Sequence, residues 1–173
     1  MKAPSTTSES AVERLVCRAE LASLPALQAV VATMCRRGRV STSVCHDLEL
    51  IVEEACVNVM HHAYPPGQSG TLALEVRIVQ GDADGRGGPR RMVLTLEDRG
   101  IPFDPLWVAP VDTTVAAEAR ALGGLGVHLI RRLSDHQHYQ RSPSRGNVLT
   151  LEKYLAPTAP TTSAASSASA ALP

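Results

Sequence analysis

Two polar residues one helical turn apart are the first candidates for chemistry in this sequence. In the stretch LELIVEEACVNVMHHAY, residues 48–64, a helical pitch aligns Glu54 and Asn58, followed by His61 or His62. The row follows the edge of an apolar stripe, where a buried polar group without a partner costs roughly 1 to 3 kcal/mol. A carboxylate and an amide there could serve a pocket for a metal and a phosphate. The alternative is that both side chains face water or hydrogen-bond to neighbouring loops.

The segment DRGIPFDP, residues 98–105, is a second candidate. Asp98 stands at the end of a predicted strand, where its carboxylate can accept a hydrogen bond from an exocyclic amine such as that of adenine. Gly100 has no side chain and lets a flat ring approach the backbone. An ordinary Asp-containing turn has the same composition, so this segment alone leaves both interpretations open.

Glycines open a third segment, GGLGVHLIRRL, residues 123–133. The amides of Gly123, Gly124 and Gly126, together with a helix N-terminus, could cradle phosphate oxygens. A plain flexible helix start is the alternative. Neither a Walker lysine nor the third glycine of a dinucleotide fingerprint is present, and no strand precedes the glycines, which argues against a Rossmann site.

Composition limits the possible partners. Seventeen acidic residues balance 17 basic ones, which provides no electrostatic footprint for nucleic acid or an anionic membrane. No stretch approaches the roughly 20 apolar residues that span a bilayer. The first ten residues lack the apolar run of a signal peptide. We therefore expect a cytoplasmic protein that contacts neither nucleic acid nor membrane directly.

Cysteines and histidines do not form a metal-binding pattern. Cys17, Cys35, Cys45 and Cys56 have no C-x-x-C spacing and fall in apolar periodic segments, which predicts reduced, buried thiols. The histidines at 61 and 62 lack the His-x-x-x-His spacing of a helical zinc site and have no cysteine partners beside them. The sequence therefore disfavours zinc.

The apolar pattern predicts one folded unit at residues 11–155. Residues 1–10 and the Ala, Ser, Thr and Pro tail at 156–173 cannot bury enough apolar area to offset their ordering entropy, and we predict both to be disordered. The predicted elements are a strand at 11–19, a helix from a Ser23 cap to Gly38, a helix from the 41–43 cap to Pro65, strands at 71–80 and 92–97, a helix within 123–133, and a hairpin of 136–141 with 147–154. Hairpin-joined strands with helices on one face favour a two-layer α/β sandwich over a doubly wound sheet.

Three motifs taken together are far more specific than any one of them. They are E-x-x-x-N-x-x-x-H-A-Y, D-x-G-x-P-F-D-P and G-G-L-G-x-x-L-I-R, in this order and spacing. With them the chain resembles the GHKL, or histidine-kinase-like, ATP-binding proteins, and among these the anti-sigma serine/threonine kinases of bacterial partner switching. The resemblance extends through the closing hairpin GNVLTLEKY. It implies a sandwich of the Bergerat type, with a mixed sheet covered by helices on one face and ATP beneath a mobile lid.

The resemblance also implies catalytic roles. Glu54 would be the general base that deprotonates the attacking hydroxyl, and Asn58 would coordinate Mg²⁺ through its amide oxygen. The physics agrees, because Mg²⁺ prefers oxygen ligands and phosphoryl transfer depends mainly on positioning and charge neutralisation. The lid would fall at 104–122, a segment that offers few obvious phosphate ligands apart from Arg120.

Nucleotide contacts are assigned by the same resemblance. Asp98 would bind the adenine amine with Gly100 beside it, and Gly124 and Gly126 would contact phosphates. Thr150, near the sheet end of the pocket, would support the adenine contact. ATP and Mg²⁺ are thus the implied cofactors.

The implied function is an ATP-dependent serine/threonine kinase and anti-sigma factor. It would phosphorylate a serine on an anti-anti-sigma protein of the STAS type, sequester a sigma factor in exchange, and act as a homodimer. The first alternative is a nucleotide-gated sequestering module that binds ATP without transferring phosphate. A free ATPase or a sensor histidine kinase core ranks third, since the latter depends on a dimerisation helix for which this chain has no room.

Overall fold

A computed structural model describes residues 11–68, 70–81, 88–107 and 125–156 of the chain. These ranges contain five strands and three α-helices, in the order predicted from the sequence. The strands are β1 Val12–Arg18, β2 Thr71–Val79, β3 Arg91–Asp98, β4 His136–Ser142 and β5 Gly146–Tyr154. The helices are α1 Leu24–Arg37, α2 Thr42–His62 and α3 Leu125–Leu133.

The five strands form one sheet in the order β1-β2-β3-β5-β4. Each of its four pairings is antiparallel, so the expectation of a mixed sheet is corrected. Two successive helices separate β1 from β2 and return the chain to the end where β1 finished, so β2 runs in the opposite direction. Strand β4 does run parallel to β3, but β5 lies between them and pairs with both.

Helices pack on one face of this sheet, which confirms the two-layer α/β sandwich. Helix α1 lies against β1 and β2, α2 lies against β3, and α3 packs against α2. Alternate residues of the central strands point toward the helices because side chains in a strand alternate between faces. The buried core includes Leu72, Leu74, Val76 and Ile78 of β2, Met92, Leu94 and Leu96 of β3, and Leu27, Val31, Leu48, Ile51 and Val52 of the helices.

One predicted helix cap is wrong and another is confirmed. Ser23 makes no capping hydrogen bond, because it belongs to a short 3-10 turn and its backbone is already helical, whereas a capping residue is normally extended. Ser41 is extended, and its hydroxyl accepts a hydrogen bond from the Val44 amide at 3.5 Å. The long helix α2 therefore begins where the Ser-Thr-Ser cluster predicts.

All four cysteines are free thiols, and Cys35 and Cys56 are buried. Burial raises the pKa of the Cys56 thiol to about 12, because the thiolate loses its hydration in an apolar surrounding. Such thiols are unreactive near neutral pH. Among the described residues, none of the helices is both long and apolar enough to cross a membrane.

Candidate functional site

Helix α2 carries the first two candidate side chains. Its apolar face is buried through Ile51, Val52 and Ala55, which orients the row of Glu54 and Asn58 along the edge of the core. Both residues are partly buried, as their position beside the stripe predicts. Neither side chain is fully exposed or fully buried.

A pocket lies between α2 and the sheet, and the empty space within it and at its open mouth amounts to about 460 Å³. Its polar residues come from three distant parts of the chain, namely Asn58, Asp98 and Asn147. The remaining lining is almost entirely apolar and consists of Ala55, Val59, Ala63, Leu96, Phe103, Pro105, Ile130, Tyr139 and Leu149. An apolar slot with a few convergent polar groups is the usual form of a small-molecule site.

Asp98 ends β3 inside this pocket and is only 7% exposed. Burial raises the pKa of its carboxyl, and hydrogen bonds from Asn147 and Gly100, together with the charge of Arg141, act in the opposite direction. The Asn147 side-chain amide and the Gly100 backbone amide both donate to Oδ1, each at 2.8 Å. Both of these bonds end on Oδ1, and no described residue donates to Oδ2, which therefore remains available as an acceptor.

Gly100 brings the loop after β3 close to the end of α2. A Cβ on Gly100 would collide with the carbonyl oxygen of Ala63, and the amide of Ile101 donates to that oxygen at 2.8 Å. Glycine is required here for a close backbone approach, which holds Asp98 beside α2. Gly100 does not itself line the pocket, so this close approach to Ala63 gives no support to the expected contact of Gly100 with a flat ring.

Helix α3 brings the third motif to Glu54. A Cβ on Gly126 would meet a carboxylate oxygen of Glu54, so the helix start and this carboxylate are immediate neighbours. Burial raises the pKa of the Glu54 carboxyl, and the negative charge of Glu53 raises it further. The Glu54 side chain therefore lies at the N-terminus of a helix, beside the apolar pocket rather than within its lining.

Asn58 provides a test of whether a metal fits. Its amide nitrogen is buried and has no hydrogen-bond partner among the described residues, which is costly for a polar atom. The two ends of an amide are assigned only from their hydrogen bonds, and here none defines them. An unsatisfied amide that lines the pocket is suited to a ligand or to a hard cation such as Mg²⁺ through its oxygen.

Asn147 is a pocket residue that the sequence interpretation missed. It is 5% exposed and donates to Asp98 Oδ1 and, at 2.9 Å, to the carbonyl oxygen of Ile101. Its own Oδ1 accepts hydrogen bonds from Tyr139 at 2.8 Å and from Arg141 at 2.7 Å. The signal that would have identified it is strand register, since Asn147 pairs directly with Asp98.

The same register corrects the prediction for Thr150. Thr150 pairs with Thr95 of β3, and paired residues in an antiparallel sheet point to the same face. Thr95 and Asp98 are three residues apart and therefore point to opposite faces. Thr150 thus lies on the face away from the helices. Asn147, rather than Thr150, is the β5 residue that lines the pocket beside Asp98.

Several predictions lie outside the described residues, namely Gly123, Gly124, Arg120, most of the lid at 104–122 and the two terminal segments.

His61 and His62 are exposed, and their rings meet edge to face with 6.0 Å between the ring centroids. Within the part of the chain that the structure describes, no three His, Cys, Asp or Glu side chains are arranged to hold a metal.

Comparison with known proteins identifies relatives of the chain. It is 31% identical to "Serine-protein kinase RsbW" of Halalkalibacterium halodurans over 113 residues, which are 63% of this chain and 62% of that protein. It is 28% identical to "Serine/threonine-protein kinase BtrW" of Bordetella bronchiseptica over 121 residues, 70% of this chain and 78% of that protein. It is 26% identical to the RsbW kinase of Bacillus subtilis, again over 63% of this chain and 64% of that protein.

The chain therefore spans less than two thirds of the RsbW kinases that it matches. The sequence profile of the histidine kinase-like ATPase domain matches residues 17–153, a range that includes every described element except part of β1 and the end of β5. This range also contains the whole pocket and both helices that border it. The chain accordingly belongs to the histidine kinase-like ATPase domain family.

Proposed function

We propose that this protein is an ATP-dependent protein serine/threonine kinase that also acts as an anti-sigma factor. The observation that carries the proposal is convergence: Asn58 of α2, Asp98 at the end of β3 and Asn147 of β5 line one pocket, and the Glu54 carboxylate lies beside that pocket against Gly126 at the start of α3. Support also comes from the names of the relatives, which are serine or serine/threonine protein kinases.

The apolar pocket would hold the adenine ring. Oδ2 of Asp98 would accept a hydrogen bond from the exocyclic amine, while Leu96 and Ile130 would contact the faces of the ring. Asn58 would hold Mg²⁺ through its amide oxygen together with triphosphate oxygens and water. When bound, Mg²⁺ supplies charge neutralisation for the transferred phosphoryl group. Gly126, together with Gly124, would contact the phosphates at the start of α3.

Glu54 would remove the proton of the acceptor serine. The serine oxygen forms a bond to the γ-phosphorus as the bond from that phosphorus to the β,γ-bridging oxygen breaks, and ADP leaves with the electron pair. The proton passes to the Glu54 carboxylate. A carboxyl whose pKa is raised by burial is a stronger base than an exposed one, which suits this role.

The acceptor would be a STAS-type anti-anti-sigma protein, and the alternative partner would be a sigma factor. Phosphorylation adds about 1.5 to 2 negative charges at pH 7, enough to weaken a well-packed interface by repulsion and desolvation. We propose that the protein works as a cytoplasmic homodimer with one folded unit at residues 11–155.

A second candidate is a sequestering module that binds ATP without transferring phosphate. The observation that favours it is that Asn58, Asp98 and Asn147 line the pocket while Glu54 does not. Nucleotide binding would therefore survive the loss of Glu54. The two candidates differ only in whether the bound ATP transfers its phosphoryl group to a partner protein.

Phosphotransfer from γ-labelled ATP to a recombinant STAS-domain protein separates the two candidates. We expect transfer by the unmodified protein and a loss of about 10²- to 10⁴-fold in Glu54→Gln, the usual contribution of a general base. Glu49→Gln is the matched control, because Glu49 lies on the same helix more than one turn before Glu54 and does not line the pocket, and it should keep full activity. ATP binding by calorimetry should be unchanged in both variants. No transfer by the unmodified protein, with ATP still bound, would support the sequestering module instead.

A further inference from the structure

Two donors from β4 act on one atom of Asn147. The Tyr139 hydroxyl and Arg141 Nη1 both donate to Asn147 Oδ1, at 2.8 and 2.7 Å. Arg141 Nη1 also donates to the carbonyl oxygen of Gly100 at 2.9 Å, so it joins the β4 strand to the loop that follows Asp98. We call Tyr139 and Arg141 the β4 clamp.

The β4 clamp determines which end of the Asn147 amide faces Asp98. An amide side chain has an acceptor end and a donor end of nearly the same shape, and rotation by 180° exchanges them. Rotation here would place the Nδ2 donor against the Arg141 guanidinium, which can only donate, and would turn Oδ1 toward the carbonyl oxygen of Ile101, which now accepts from Nδ2. The Tyr139 hydroxyl, which can donate or accept, would lose its present acceptor. The clamp, together with the Ile101 carbonyl, therefore holds Nδ2 toward Asp98 independently of what Asp98 or a ligand prefers.

The orientation of Asn147 in turn determines what Asp98 offers to the pocket. Oδ1 already receives the Asn147 side chain and the Gly100 amide. The positive charge of Arg141 acts on Asp98, and Asn58, which lines the pocket from α2, is neutral. Burial raises the pKa of the Asp98 carboxyl, but both donors and the cation oppose this and favour the ionised carboxylate, whose Oδ2 can only accept a hydrogen bond.

We propose that Tyr139 and Arg141 are positioning residues that set the base selectivity of the pocket, by holding Asn147 so that Asp98 presents an acceptor toward the six-position of a purine. This inference rests on the proposed function, since it concerns the same nucleotide site. A purine with an exocyclic amine at that position donates to the acceptor. A purine with a carbonyl there places two acceptors against each other, which is unfavourable in a buried site.

The test measures the ratio of the dissociation constants for ATP and inosine triphosphate, which differ at the six-position. We expect the unmodified protein to prefer ATP, and Arg141→Met or Tyr139→Phe to reduce this preference about tenfold, the effect of one misplaced hydrogen bond to a charged group. Arg132→Met and Tyr154→Phe are matched controls, because neither side chain hydrogen-bonds to Asn147, whose oxygen accepts from Tyr139 and Arg141. Arg141→Lys keeps a donor and should restore part of the preference.

A second variant distinguishes a change of base preference from a general loss of nucleotide affinity. In Asp98→Asn, the Asn147 side-chain amide, held by the clamp, and the Gly100 backbone amide would keep the acceptor end of the new amide toward themselves, so its donor end would face the base. This variant should therefore prefer inosine triphosphate, and the added change Arg141→Met should abolish that reversal. Melting curves of all variants identify any that fail to fold.

The two proposals fail in different ways. If the unmodified protein binds neither nucleotide, the proposed function is overturned. If it binds ATP selectively, but the clamp variants keep the same ratio as their controls and Asp98→Asn shows no reversal, the clamp inference alone is overturned.

Discussion

At the residue scale, the environment of Glu54 changes the pKa of its carboxyl, and this affects how well Glu54 could act as a base. Burial raises the pKa of its carboxyl, and the adjacent Glu53 raises it further. A base works only when it is deprotonated, so phosphotransfer should rise as pH increases through this raised pKa. The same ionisation places a charge in a partly desolvated position, so it does not stabilise the fold.

Removing the acidic neighbour should shift the pH dependence. In Glu53→Gln the pKa of Glu54 should fall toward its ordinary value, so the acid limb of the transfer rate should move to lower pH while the plateau at high pH stays unchanged. Glutamine keeps an acceptor oxygen for Gln28, whose amide donates to Glu53 at 3.1 Å. Single-turnover rates across pH measure the limb. An identical profile in Glu53→Gln would contradict the assignment of Glu54 as the base.

At the scale of elements, the packing of α3 against α2 brings Gly126, at the proposed phosphate site, against Glu54, the proposed base. A Cβ on Gly126 would displace the Glu54 carboxylate, because that carboxylate is the end of a flexible side chain and can move. Alanine is also the better helix former, by about 1 kcal/mol relative to glycine. We therefore expect Gly126→Ala to lower transfer by at least about tenfold while the protein is equally or more stable.

This combination separates a positioning effect from damage to the fold. Denaturant unfolding measures stability, and single-turnover transfer measures activity. If Gly126→Ala acts through Glu54, adding it to Glu54→Gln should cause little further loss, because neighbouring changes that remove the same interaction are not additive. A full additional loss in the double variant would show that Gly126 acts on the phosphates independently.

At the scale of the whole molecule, the pocket joins α2, the sheet and the loop after β3, so a ligand bound there should stabilise them together. ATP with Mg²⁺ at 100 times its dissociation constant would add about 2.7 kcal/mol and raise the melting temperature by roughly 5 to 10 °C. Scanning calorimetry measures this shift. Asp98→Ala should lose most of it, and Arg132→Met should retain it. An equal shift in Asp98→Ala would place the nucleotide elsewhere.

The local features of the fold were predictable from the sequence. Apolar residues repeat with the period of a helix through α2 and of a strand through β2, and both elements lie within a few residues of the prediction. The spacing of Glu54 and Asn58 also follows from helical geometry alone. These features depend on residues close in sequence, so no knowledge of tertiary contacts was needed.

Only the tertiary structure decided which strands pair and therefore which polar residues meet. The antiparallel sheet, the pairing of Asp98 with Asn147 and the placement of Thr150 on the far face all depend on register between segments about 50 residues apart. A shift of one residue in that register would exchange the two faces of a strand, and nothing in the local pattern records it. The sequence by itself thus determined the helix that carries Glu54 and Asn58, whereas long-range strand pairing determined what surrounds Asp98.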